Sequence, residues 1–187
     1  MTPFLLSVAA AAIPLNGDFE QGNAHWFDRS PMGSDATVQR VTQGASFGGA
    51  FDTTGIVFTS PTHAMLLQNG SFADFTPAIV GSRTFLVTHT TARFQHYEQD
   101  ATITLTARFD PDIGVAVELG DLVPSVGAFA EGTADLTAWC GVEGALQFSQ
   151  HGDTVSATPL TLIDDVTVDT ICPEYLDGDG DGYCPLG

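Results

Sequence analysis

The chain has 187 residues, 43% of them hydrophobic. That suits one domain of about 150 residues with a real core, plus tails. Its formal net charge of −18 comes from 23 acidic and 5 basic residues, the latter all arginine (Arg29, Arg40, Arg83, Arg93, Arg108). Such a balance argues against nucleic acid, whose binding needs cations to displace phosphate counterions, and against anionic membrane surfaces. It fits a divalent cation, because clustered carboxylates repel unless something neutralises them. No apolar run reaches the ~18 residues of a membrane-spanning helix.

Residues 1–13 form an apolar run with small residues at Ala10–Ala12. They resemble a secretory signal, although no Lys or Arg precedes the run; the alternative is a first β-strand. From residue 15 to 168, Val, Thr, Phe and Ile alternate with polar residues between Gly, Pro, Asn and Asp breaks. The pattern predicts strands at Ala36–Thr42, Gly55–Phe58, Ala64–Leu67, Thr84–Phe94, Ala101–Phe109, Val115–Leu119, Leu136–Trp139, Ala145–Ser149 and Leu160–Val168. In Ala101–Phe109 the residues Ile103, Leu105, Ala107 and Phe109 share one face. No window reads as an amphipathic helix. So many short strands predict an all-β antiparallel sandwich. Residues 169–187 lose this pattern and read as an irregular acidic C-terminal tail, truncated where the sequence stops.

Three cysteines are present, Cys140, Cys172 and Cys184. Cys172 and Cys184 bracket the acidic tail loop, and a disulfide between them is expected in an oxidising compartment. Cys140 then reads as a small buried hydrophobe.

The strongest local motif is Asp177-Gly-Asp179-Gly-Asp181-Gly-Tyr183. Alternate Asp carboxylates, a glycine at position 6 and the Tyr183 carbonyl at position 7 converge on one calcium ion. The acid usual at position 12 would fall beyond residue 187. The motif resembles thrombospondin type 3-like calcium repeats of secreted proteins.

A second pair of motifs stands at the two ends of the strand-rich region. Asn16-Gly-Asp18-Phe-Glu20-Gln-Gly22, followed by Trp26, opens it, and Ile163-Asp164-Asp165-Val-Thr-Val168 closes it. Together they resemble galactose-binding-like jelly-roll domains, common among carbohydrate-binding modules. The resemblance implies a jelly-roll sandwich in which first and last strands lie together, tied by structural calcium. Glu20 and Asp164 would give it side-chain oxygens and Asp18 a carbonyl. The segment Ser60–Leu67, which corresponds to the family's remaining ligands, lacks an acid. Alternation along one unbroken strand puts Asp164 on the same inward face as Val166 and Val168.

For a glycan ligand, Tyr97 reads as an exposed loop aromatic with Arg93 and Glu98 as hydrogen-bonding neighbours. His89 and His96, an odd number apart, would face opposite sides of a shared strand. Glu98, Glu118, Glu131 and Glu143 are acids without a spacing that marks a hydrolase pair, and they read as solvated. The expectation is a secreted or cell-surface non-catalytic binding or adhesion module for glycan or another extracellular component, with calcium as cofactor. Two alternatives stay open: a structural spacer leading into a calcium-stabilised stalk, and a hydrolase with an unrecognised site.

Overall fold

A computed structural model of the chain describes residues 16–46, 52–70, 76–152 and 159–173. These form eleven strands and one 3-10 turn. The strands are β1 (Trp26–Asp28), β2 (Thr37–Thr42), β3 (His63–Gln68), β4 (Ala78–Ser82), β5 (Phe85–Leu86), β6 (His89–Glu98), β7 (Ile103–Pro111), β8 (Val117–Leu122), β9 (Ala130–Asp135), β10 (Glu143–Gly152) and β11 (Thr161–Ile171). Two antiparallel sheets result. The front sheet runs β1-β4-β10-β7-β8, with β5 also paired to β10; the back sheet runs β2-β3-β11-β6-β9. The fold is a jelly-roll β-sandwich, as the sequence predicts.

The core between the sheets follows from period-two alternation. β7 turns Leu105, Ala107 and Phe109 inward, β10 turns Leu146 and Phe148, and β6 turns Ala92 and Phe94. Phe94 and Phe148 meet edge to face, with centroids 4.6 Å apart. Burial of each such ring stabilises the fold by about 1.5–3 kcal/mol. His89 and His96 lie on opposite faces of β6, as their spacing requires: His96 is buried, His89 partly exposed.

Some predicted elements differ. Gly55–Phe58 is not a strand but a loop over the outside of the back sheet. There Phe58 caps a second apolar cluster of Val41, Ala64, Leu66, Leu160 and Leu162. Burial, not pairing, accounts for its apolar pattern. Leu136–Trp139 instead contains the 3-10 turn Thr137–Trp139. Tyr97 lies within β6, not in a loop.

Two bulges reset the alternation. In β11 the register with β6 shifts between Asp164 and Thr167, and Asp165 adopts φ 48°. Asp164 therefore points outward with Leu162, while Val166 points into the main core. The expected shared face of Asp164 and Val166 is overturned by this extra residue. In β8 a shift leaves Arg108 opposite Glu118 and Thr106 opposite Asp121. Glu118 and Asp121, three apart, thus share the outer face of the front sheet.

The disulfide also differs: Cys140 bonds Cys172, with Cα atoms 5.9 Å apart. Sheet order explains the pairing. β6 lies between β9 and β11, and Cys140 follows β9 through the 3-10 turn while Cys172 directly follows β11. Both therefore arrive beside the start of β6, where Cys172 N donates to Thr88 O (2.9 Å). The expected Cys172–Cys184 bond and unpaired Cys140 are thereby corrected. Cys184 and the Asp177–Tyr183 motif lie outside the described residues.

Candidate functional site

The opening motif ties the chain's start to its last strand. Asn16, at φ 58°, organises the turn: its Oδ1 accepts from Gln21 N (2.8 Å) and its Nδ2 donates to Gly22 O (2.9 Å). Gly17 O accepts from Val166 N at 2.9 Å. A Cβ on Gly17 would stand 1.8 Å from Val166 O, so only glycine permits this approach. Phe19 packs on Trp26, with centroids 5.3 Å apart.

Glu20 and Asp164 then reach the segment 59–63. Glu20 Oε1 accepts from Thr62 N and His63 N, both at 2.8 Å, and its Oε2 lies 2.6 Å from Thr62 Oγ1 and 2.8 Å from His63 Nδ1. Burial pushes this carboxyl upward, but the Thr62 and His63 hydrogen bonds outweigh it and hold the pKa at about 2. Asp164 Oδ2 accepts from Thr59 N (3.1 Å), Thr59 Oγ1 (2.8 Å) and Ser60 N (2.8 Å). Its burial dominates and raises its pKa despite these bonds. Asp18 Oδ1 accepts from Glu20 N at 3.3 Å.

This donor set does not fit a calcium ion shared by Glu20 and Asp164. Their oxygens face N–H and O–H donors, whereas calcium wants six to eight oxygens. The backbone carbonyls nearby also have a cationic partner: Arg40 Nε donates to Phe19 O (2.5 Å) and its Nη2 to Glu20 O (3.2 Å). No group of three potential ligating side chains occurs among the described residues.

The proposed ligand trio is divided between two faces. Arg93 and Tyr97 point out of the back sheet, and Glu98 points in. Glu98 is wholly buried, accepts from Ser125 N (2.6 Å) and lies 2.8 Å from His96 Nδ1. It is therefore a core residue, not a solvated acid or a ligand group. Alternation within β6 separates it from its neighbour Tyr97. Arg93 pairs with Glu131 (2.7 Å) and Asp169 (3.3 Å). Tyr97 sits 5.8 Å from Phe129 and lines a cleft of about 430 Å³ together with Ile56, Val57 and Gly127. Among the other acids, Glu118 belongs to the front sheet, and Glu131, opposite Gln95 in the back sheet, faces out where Glu98 faces in, so neither shares a cleft with Glu98.

Sequence reasoning missed the polar layer on the outer side of the front sheet, where Gln147, Ser149 and Thr106 are buried, Arg108 is half-buried, and Phe27, Arg29, Glu118 and Asp121 are exposed. One row in register crosses all five strands: Phe27, Gly81, Gln147, Arg108, Glu118. The next row carries Ile79, Ser149, Thr106 and Asp121. With strands about 4.8 Å apart, the strip is roughly 19 Å across. Its polar groups support one another. Gln147 Nε2 donates to Asp110 Oδ2 (2.8 Å), Thr106 Oγ1 to Asp121 Oδ1 (2.7 Å), and Ser149 Oγ lies 2.9 Å from His151 Nε2. Burial, then the Arg108 charge, push the His151 pKa down against the pull of Glu118 and Asp121, so the ring is neutral at pH 7. Arg108 Nε is buried without a hydrogen-bond partner among the described residues. Gly81 leaves space for Arg29, whose guanidinium lies over the Phe27 ring at 5.6 Å. The available signal was the alternation of Arg108, Asp110 and Thr106 against an apolar opposite face in β7.

This architecture is shared with known domains. The chain is similar to the K2 cleaved adhesin domain of Lys-gingipain, with TM-score 0.60, 13% identity, and coverage of 82% of this chain and 97% of that one. It is also similar to the K1 cleaved adhesin domain of Lys-gingipain from Porphyromonas gingivalis, with TM-score 0.55, 11% identity and coverage of 86% and 94%. A third relative in fold is TmCBM61, solved in complex with β-1,4-galactotriose, with TM-score 0.51, 10% identity and coverage of 83% and 95%. At these identities the likeness is one of fold. No family model matches the sequence, and no curated protein is detectably similar to it.

Proposed function

We propose that this chain is a non-catalytic, extracellular binding module that takes a glycan on the outer face of its front sheet. The observation that carries the reading is the five-strand row from Phe27 to Glu118, whose exposed groups are the Phe27 ring, the neighbouring Arg29 guanidinium and the Glu118 and Asp121 carboxylates, with Arg108 half-buried between them. Such an array offers one aromatic contact and directional donors and acceptors, which is what a chain of sugar hydroxyls requires. The Cys140–Cys172 bond fits an oxidising compartment, and the fold shared with adhesin and carbohydrate-binding domains supports the same class. Calcium, on this reading, belongs to the Asp177–Tyr183 loop.

Affinity electrophoresis against a panel of soluble polysaccharides tests the proposal. Retardation by at least one of them, reduced in Phe27→Ala and Arg108→Ala, is expected. If no polysaccharide retards the protein, the reading fails. The Tyr97–Phe129 cleft supports a second reading, in which Tyr97 contacts the sugar; loss of retardation in Tyr97→Ala but not Phe27→Ala would favour it. The spacer alternative rests on the staple at Cys172, where the tail departs, and full retention of native stability without any ligand would favour it.

A further inference from the structure

We propose that the glycan carries negative groups, as carboxylates or sulfate esters, and that they dock at the β1–β4 end of the strip; this rests on the glycan-binding reading. The chain has 23 carboxylates available to its five arginines. Two arginines are consumed by the fold: Arg40 on the Phe19 and Glu20 carbonyls, and Arg93 on Glu131 and Asp169. The other three, Arg29, Arg83 and Arg108, make no ion pair among the described residues. All three belong to the front sheet's outer face. Arg108 stands in the five-strand row, and Arg29 lies against Gly81, within reach of Gln147. Arg83 immediately follows β4, and alternation from Gly81 carries it onto the same face; its N–H donates to His25 O at 2.6 Å.

Charge is also polarised along the strip. Of the acids of this face, Asp110, Glu118 and Asp121 sit on β7 and β8 around Arg108, and Glu143 stands at the start of β10. The β1–β4 end presents Arg29, Arg83 and the half-exposed Phe27 (48%); its nearby acids, Asp28 on β1 and Asp112, which accepts from Thr84 Oγ1 at 3.3 Å, form no ion pair with either arginine among the described residues. On a molecule of net charge −18, two arginines without an ion pair among the described residues are a local concentration of positive charge, and guanidinium forks match carboxylate and sulfate oxygens two at a time. The Phe27 ring fixes the Arg29 guanidinium from below, which lowers the entropy cost of presenting it.

The full chain is tested against neutral β-1,4-galactan, polygalacturonate and sulfated λ-carrageenan by affinity electrophoresis. Preference for one acidic polymer over galactan by at least about tenfold, the worth of one charge-assisted contact, is expected, and it should weaken as salt rises. The two acidic arms separate carboxylate from sulfate. In Arg29→Ala/Arg83→Ala, checked for a native melting transition, the preference should collapse toward one. Galactan bound as well as either acidic polymer, or a preference that survives the double variant, overturns the inference and leaves the glycan reading standing. No retention on any of the three overturns the acidic-ligand inference, and failure across the wider neutral panel removes the glycan reading as well.

Discussion

Glu20 and Asp164 grip opposite ends of one short turn: Glu20 takes Thr62 and His63, and Asp164 takes Thr59 and Ser60. Residues 144 positions apart in sequence (164 − 20) are thus coupled through five residues of backbone. The turn is closed further by Ser60 Oγ donating to His63 O. The first loop, the third strand and the last strand are joined in this way by hydrogen bonds to carboxylates.

The two carboxylates respond to acid with opposite sign. Glu20, held at about 2 against an ordinary 4.5, contributes stability that is full above pH 4.5 and lost as pH falls toward 2. Asp164 is raised, so its ionised form costs stability above its folded pKa, and acid relieves that cost. Melting curves from pH 2 to 7 should show the acid limb flattened in Glu20→Gln. Asp164→Asn, which keeps an acceptor for Thr59 and Ser60, should match or exceed the parent at pH 7. An unaltered acid limb in Glu20→Gln would sink this account.

Arg40 supplies the positive charge at the Phe19 and Glu20 carbonyls. Arg40→Ala should lose about 1.5–3 kcal/mol in urea unfolding, the worth of charged hydrogen bonds. Added calcium should not restore it, because the turn's carboxylates remain capped by donors. Recovery of stability with calcium would show that a metal can take the arginine's place.

Reducing Cys140–Cys172 opens a loop of 32-residue separation. The chain-entropy relation gives a loss of about 3–4 kcal/mol. Peptide mapping under non-reducing conditions should recover the Cys140–Cys172 linkage. Cys184→Ser should leave the melting temperature unchanged, and a drop comparable to reduction would contradict the pairing.

Glu98 is a structural acid. Glu98→Ala leaves His96 and Ser125 N without their partner and should cost about 2–3 kcal/mol. Polysaccharide retention by the folded fraction should not change. A variant of native stability that loses retention would return Glu98 to the binding surface.

Chelator should act through the tail alone. Calcium is expected to raise the melting temperature or protect the tail from protease in the parent, and to do neither in Asp177→Ala/Asp179→Ala/Asp181→Ala. A chelator response that persists in the triple variant would place a calcium site in the sandwich body.

The alternation of β6, β7, β10 and β11 was readable because long strands with one buried face repeat every two residues. Three short strands were not: β1 has three residues, and β4 is buried throughout, so neither shows a period. β9 alternates small residues such as Ala130, Gly132 and Ala134 with polar ones, since Phe94 fills the space above Gly132. The bulge at Asp165 was invisible because a non-glycine residue at positive φ has no compositional mark, and missing it reversed the face of Asp164. Glu98 was misplaced for the opposite reason: its local sequence is polar, and only strand pairing shows that β6 carries it into the interior. The front-sheet strip needed residues from β1, β4, β7, β8 and β10 at one level, a relation that only the register supplies.

The sulfur bridge at Cys172 has a mechanical consequence. Tension applied through the C-terminal tail reaches a wholly buried residue that is covalently anchored to Cys140. The pull is then divided between β11, which lies in the middle of its sheet, and the chain segment after β9. Peeling of the final strand is blocked at its first step, so a tether attached at this end can load the whole sandwich in shear.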